Sequence, residues 1–223
     1  MDPAYRKQSQ KIMREEIDRR FPGCNIGKHD DENTPDLLTG LFGACSVAAI
    51  YGVPVRYQKD QWPTSEHVHI SEEEMASIRP PNLETNLFFQ SIMDQVEWIA
   101  RNEGKVYGFI NWQGVLNNAQ RIRGQELFMD FYINPKGVKS LLESVCTTMI
   151  DAAKILHQKQ RESGITYTFF TVSNCLVNML SPELYHEFML PLDSLIAEAF
   201  GTVGIHNCAW NADPYLDDYE KVP

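Results

Sequence analysis

Three short β-rich runs punctuate this chain, and helical sequence separates each from the next. KVYGFINW (105–112) lies between Gly104 and Gly114. ITYTFFTV (165–172) is β-branched and aromatic almost throughout, and TVGIHNC (202–208) follows Gly201. A strand whose chain passes through a helix before the next strand does not return as a tight hairpin. It comes back in parallel, through a right-handed crossover. The alternation therefore predicts an α/β fold built on a parallel sheet.

The helices carry their own start signals. Asn134-Pro135 and Ser181-Pro182 each pair a good N-cap with proline at the first helical position. After the first pair, Val138, Leu141, Leu142, Val145, Met149, Ala152, Ala153 and Leu156 recur at helical spacing until Gly164. After the second, Leu184, Phe188, Leu192, Leu195, Ile196 and Ala199 form a stripe that Gly201 closes. Upstream, 2–20 reads as a surface helix capped by Asp2, and 36–50 as a buried helix ended by Gly52. Residues 53–57 read as an edge strand, and 84–102 and 115–130 as helices, the latter broken at Gly124. Segment 60–83 reads as irregular, with the acidic run 72–74 a solvated helix start. A polar loop with Gly27 and the acidic residues 30–32 divides an N-terminal helix and loop (1–35) from the main domain (36–223).

Charge narrows the function. Twenty Lys+Arg against thirty Asp+Glu leave a net charge of −10, which repels nucleic-acid phosphates and anionic membranes alike. No apolar run approaches the roughly 20 residues of a membrane helix, and the charged N-terminus lacks a signal-peptide core. The five cysteines are odd in number and scattered, the pattern of reduced thiols in a cytoplasmic protein.

In parallel α/β folds, ligands gather at the carboxyl ends of the strands. Here those ends read Asn111-Trp112, Ser173-Asn174-Cys175 and His206-Asn207-Cys208. Residues i and i+2 of a strand share a face, so His206 and Cys208 present an imidazole and a thiol suited to zinc. The plainer reading of this tripeptide is a hydrogen-bonded histidine beside a buried cysteine. Cys175, at the preceding strand end, can in principle approach the same metal, and its plainer reading is a small apolar filler; His67 and His69 read as surface residues, and His157 and His186 as occupants of polar helix faces. Phosphate-binding glycine loops, GxSxG and HExxH are all missing.

Taken together, NWQGVLNNAQRIRGQELFMDFYINPKGVKSLL (111–142), MLSPELYHEFMLPLDSLIAEAF (179–200) and GIHNCAWNADPYLDDY (204–219) resemble the uroporphyrinogen decarboxylase superfamily in content, order and spacing. The resemblance implies a (β/α)8 TIM barrel with its site at the carboxyl face, and a homo-oligomer. About four strands are legible, so it also implies that only part of the barrel is present and that the chain is truncated after Pro223.

The superfamily's cobalamin-dependent methyltransferases hold zinc with a His-x-Cys motif and a distant downstream cysteine. Carried over, His206 and Cys208 are zinc ligands, and no counterpart of the downstream cysteine follows them. Asn111, Trp112, Ser173 and Asn174 line the substrate pocket. In this branch zinc activates a thiol such as coenzyme M, which takes a methyl group from a corrinoid. The implied partners are a corrinoid protein or a small-molecule thiol. The decarboxylase branch instead grips a polycarboxylate with arginines near its N-terminus. The nearest run, MREEIDRR (13–20), places three acidic residues beside its arginines and departs from that pattern. A non-catalytic corrinoid-binding or scaffold barrel is the third reading.

Overall fold

The computed structural model describes residues 2–24, 35–208 and 210–223. Helix α1 (Pro3–Arg20) starts where the Asp2 carboxylate accepts the Ala4 N–H, and no residue of it is buried. The expected loop elements at Gly27 and 30–32 lie outside the described residues.

The helix expected over 36–50 shortens to α2 (Ser46–Ile50). Asp36 accepts the N–H groups of Leu38 and Thr39, and Gly40 and Gly43 take φ of 78° and 58°. A right-handed helix does not contain that conformation. The apolar side chains still go inside: Leu37, Leu38, Leu41 and Phe42 are all buried.

Strand β1 (Val55–Gln58) pairs antiparallel with β2 (Gln61–Ser65), so part of the segment read as irregular is a hairpin. Pro63, which lacks a donor, argues against an interior strand but not against an edge, and a two-stranded hairpin is all edge. Ser71 and Glu74 form a capping box at the start of α3 (Glu72–Ser77), as the acidic run suggested. Next come α4 (Leu87–Glu103), α5 (Val115–Arg123) and α6 (Leu127–Ile133). The break between α5 and α6 falls at Gly124, φ 86°, and the ion pair Arg123–Asp130 spans it at 2.7 Å.

Helix α7 (Pro135–Glu162) runs 28 residues from its Asn134 cap. Its buried face includes every apolar position that the periodicity picked out, and it packs on α3, α5 and α6. Each buried Val, Leu or Met there contributes roughly 1.5–3 kcal/mol by leaving water.

After α7 the chain forms β3 (Phe169–Ser173), α8 (Pro182–Leu184), a π-helical turn over Tyr185–Met189, α9 (Leu190–Phe200) and β4 (Thr202–His206). β3 and β4 pair in parallel from Phe169↔Thr202 to Ser173↔His206, the crossover unit that the alternation predicts, and α9 packs against α7.

The third predicted strand, 105–112, joins no ladder. Side chains take the partners that a neighbouring strand would supply. Ser163 Oγ and Tyr167 Oη accept the N–H groups of Val106 and Gly108, Thr39 Oγ1 accepts that of Phe109, and Gln160 Nε2 donates to the carbonyls of Val106 and Gly108. The architecture is thus mixed α/β with two two-stranded sheets, and no closed barrel forms among the described residues. No helix among them is long and apolar enough to cross a membrane.

Candidate metal centre

The β3–β4 register sets the geometry of the site. Phe170 and Val172 of β3 are buried on one face, while Phe169 and Thr171 on the other are exposed. Ser173 pairs with His206 at the strand ends, and Asn174 N–H extends the ladder by donating to the His206 carbonyl at 2.9 Å. Two residues past that rung, the turn after β3 and the segment after β4 bring Cys175 and Cys208 together.

His206 Nε2 stands 3.1 Å from Cys208 Sγ, and Cys175 Sγ stands 2.6 Å from Cys208 Sγ. All three ligand atoms lie within 4.8 Å of one another. Cys175 is therefore no filler: it is half-buried, with its sulfur on Cys208. Burial raises its thiol pKa, and neighbouring Cys208 raises it further. The sequence offers both readings of it and cannot choose the metal one, because its partner lies 33 positions away and the pairing depends on register.

One imidazole and two thiols form a borderline-soft donor set that suits zinc. Tetrahedral zinc, with bonds of about 2.0–2.3 Å, separates its ligand atoms by ~3.3–3.8 Å. Both contacts to Cys208 Sγ, 2.6 Å from Cys175 and 3.1 Å from His206, are shorter than that. Cys208, on the exposed side, has room to draw back by the ångström required, so the residues fit the ion.

Beside the cluster lies a cavity of about 480 Å³, bounded by Asn111, Trp112, Tyr167, Phe169, Ser173 and His206 among others. Four residues singled out by sequence thus share one space: Asn111, Trp112, Ser173 and His206. His157 also lines it. Instead of occupying a polar helix face, it packs against Tyr167, Phe170 and Phe200, 5.5 Å from the last ring centre. Burial lowers its pKa, with Arg161 adding to the effect. His67, His69 and His186 are exposed, the last bonded to Asp218 at 2.8 Å.

Asn174 is placed differently. It is fully buried and donates through Nδ2 to Asp193 Oδ2 at 2.8 Å. Tyr185 Oη donates to the same oxygen at 2.8 Å. Burial lifts Asp193 to about 6 despite these two donors. The sequence carried a signal for this carboxylate that went unread: it sits among Leu190, Leu192, Ile196 and Ala197, at helical spacing within a buried stripe. Asn117 is a second missed residue. Its Oδ1 accepts the Leu176 N–H and its Nδ2 donates to Gln113 Oε1, tying the loop after residue 111 to the Cys175 corner.

The uroporphyrinogen decarboxylase (URO-D) family matches residues 31–222. The chain belongs to this family. No curated protein matches the chain. Among solved structures, a methyltransferase from Methanosarcina mazei shares the fold with a TM-score of 0.52 at 14% identity. The alignment covers 78% of this chain and 52% of that one, so this URO-D chain spans about half the length of that protein. The arginine-containing run of this URO-D chain, 13–20, lies on α1, where Arg19 and Arg20 both bond Glu16 at 2.7 and 2.6 Å. A larger cleft of about 730 Å³ runs between α7 and α9. Its one thiol, Cys146, is buried and pushed up to about 12 by desolvation and then by Asp193. With no imidazole in its lining, that cleft lacks the donor set found at the strand ends.

Proposed function

We propose that this chain is a methyl-transferring member of its family, carrying a methyl group from a corrinoid to a thiol, with His206, Cys208 and Cys175 as the metal-binding residues. The observation that carries this reading is the convergence of one imidazole and two sulfurs within 4.8 Å, at the mouth of the parallel strands. Zinc bound there would lower the pKa of a substrate thiol, so that it reacts as the thiolate.

The chain's own residues provide binding and orientation. His206 and Cys208 meet the ion from one strand and Cys175 from its neighbour. Asn111, Trp112 and Ser173 bound the space in which the substrate sits. Trp112 and the neighbouring Tyr167 and Phe169 present aromatic surface that excludes water from that space. Asn174, gripped by Asp193, fixes the strand end that carries Cys175. The methyl donor reaches the site as a corrinoid, free or borne on a partner protein.

Uroporphyrinogen decarboxylation, the other enzymatic reading, needs cations to hold a polycarboxylate. The residues bounding the cavity include no Lys or Arg, and Arg19 and Arg20 are committed to Glu16. Both facts favour methyl transfer. The test is metal analysis together with an assay of methylcobalamin and coenzyme M. The expected outcome is near-stoichiometric zinc and methyl transfer, both lost in Cys208→Ala. Zinc below a tenth of an equivalent in the wild type, unchanged by that substitution, removes the reading. Coproporphyrinogen formation in the presence of chelator would replace it with decarboxylation, and absence of both activities with the scaffold role.

A further inference from the structure

Cys175 and Cys208 each lie two residues past the Ser173↔His206 pair that ends the parallel β3–β4 ladder. The strand ends that they follow run about 4.8 Å apart, within the Cα–Cα span that a disulfide bridges. The two sulfurs already touch at 2.6 Å. Cys208 is exposed and Cys175 half-buried, so a small oxidant can reach them. The remaining thiols are placed elsewhere: Cys45 Sγ contacts the Pro63 carbonyl, Cys146 Sγ contacts the Leu192 carbonyl, and Cys24 follows α1.

We propose that Cys175 and Cys208 are a redox modification site: a reversible disulfide between them excludes the metal, so that oxidation switches the centre off. The coupling to metal rests on the reading above, whereas the disulfide itself does not.

The chemistry balances with a small-molecule disulfide, RSSR, as oxidant. One protein thiol loses its proton and its sulfur attacks RSSR, forming a mixed disulfide and expelling one RS group as a thiolate. The second protein thiol loses its proton and attacks the protein sulfur of that mixed disulfide. The Cys175–Cys208 bond forms, and the second RS group leaves. Both leaving thiolates take up the released protons. Two protein thiols are oxidised and one RSSR is reduced to two RSH. Where metal is bound, both metal–sulfur bonds break. His206 alone remains as a protein ligand, too few to retain the ion.

The experiment treats zinc-loaded and zinc-free protein with glutathione disulfide, then follows peptide mapping, zinc release and reversal by dithiothreitol. Expected are a Cys175–Cys208 crosslink in both samples, zinc release in step with crosslinking, and recovery of both thiols on reduction. Cys24→Ser should behave as wild type. Cys175→Ser should instead accumulate a glutathione adduct on Cys208. Persistent adducts on the wild type, a crosslink through Cys24, or a crosslink with zinc retained would each overturn the switch. Protein that never binds zinc yet forms the crosslink keeps the redox site and overturns the metal reading instead.

Discussion

Ser173 and His206 are register partners at the last rung of the β3–β4 ladder, and the metal-binding side chains Cys175, His206 and Cys208 take their placement from that rung. A glycine maintains it from the side. A Cβ on Gly114 would lie 2.5 Å from the Ser173 carbonyl oxygen and 2.6 Å from Asn174 Oδ1, whereas one on Gly204 would meet mainly the tip of the exposed Phe169 ring. A backbone carbonyl and a buried amide cannot swing aside as a ring can. Gly114→Ala should therefore cost about 1–3 kcal/mol and weaken zinc binding, while Gly204→Ala costs less. Thermal melts and zinc titrations of both variants check this, and a Gly114→Ala protein that matches wild type in both would refute it.

Metal should stabilise the fold by mass action. An ion that binds only the folded chain, at a hundredfold excess over its dissociation constant, contributes about 2.7 kcal/mol. For a chain of this size that is roughly a 5–10 °C rise in Tm. Zinc should raise the melting temperature of the wild type by that amount, and EDTA should reverse the rise. His206→Ala and Cys208→Ser should show no zinc-dependent shift. An equal shift in these variants would place the ion elsewhere.

Asp193 makes stability depend on pH. Burial raises its pKa from 3.8 to about 6, so folding favours the protonated carboxyl. The folded state is most favoured by this group below pH 4. It loses that advantage as pH rises through the window from 4 to 6, by about 3 kcal/mol at most. Tyr185 and Asn174 both donate to Oδ2, and Oδ1 has no partner. An amide oxygen can take both bonds, so Asp193→Asn should be at least as stable as wild type at pH 7.5 and lose the slope between pH 4 and 6. Melts across that range decide it: an unchanged slope assigns the pH dependence to other groups.

The crossover unit was legible because its signals are local. Ser181-Pro182 opens the helix, Gly201 ends it, and β-branched runs flank it. The His206/Cys208 pair was legible for the same reason, since strand alternation places i and i+2 together. Cys175 was legible only in part: its strand-end position points it toward the same metal, but its meeting with Cys208 depends on a register that no local pattern encodes. The helix over 36–50 shortens to Ser46–Ile50 because apolar content reports burial, whereas Gly40 and Gly43 set the backbone path. Pro63 hid β2, since a missing donor excludes a central strand more firmly than an edge.

The run 105–112 is the instructive case, and it yields the last prediction. Its composition says strand, yet side chains satisfy its backbone. Gln160, buried on α7, donates to the carbonyls of both Val106 and Gly108. Replacing it with leucine keeps an apolar stem of similar length and removes both donors. Each buried carbonyl left without a partner costs on the order of 1–3 kcal/mol. Gln160→Leu should therefore speed amide hydrogen exchange across 105–112 and disturb the cavity edge at Asn111 and Trp112, while the β3–β4 ladder keeps its protection. If exchange in 105–112 is unchanged, the segment is held by Val106, Ile110 and Trp112, all buried in the core, and the amide is dispensable.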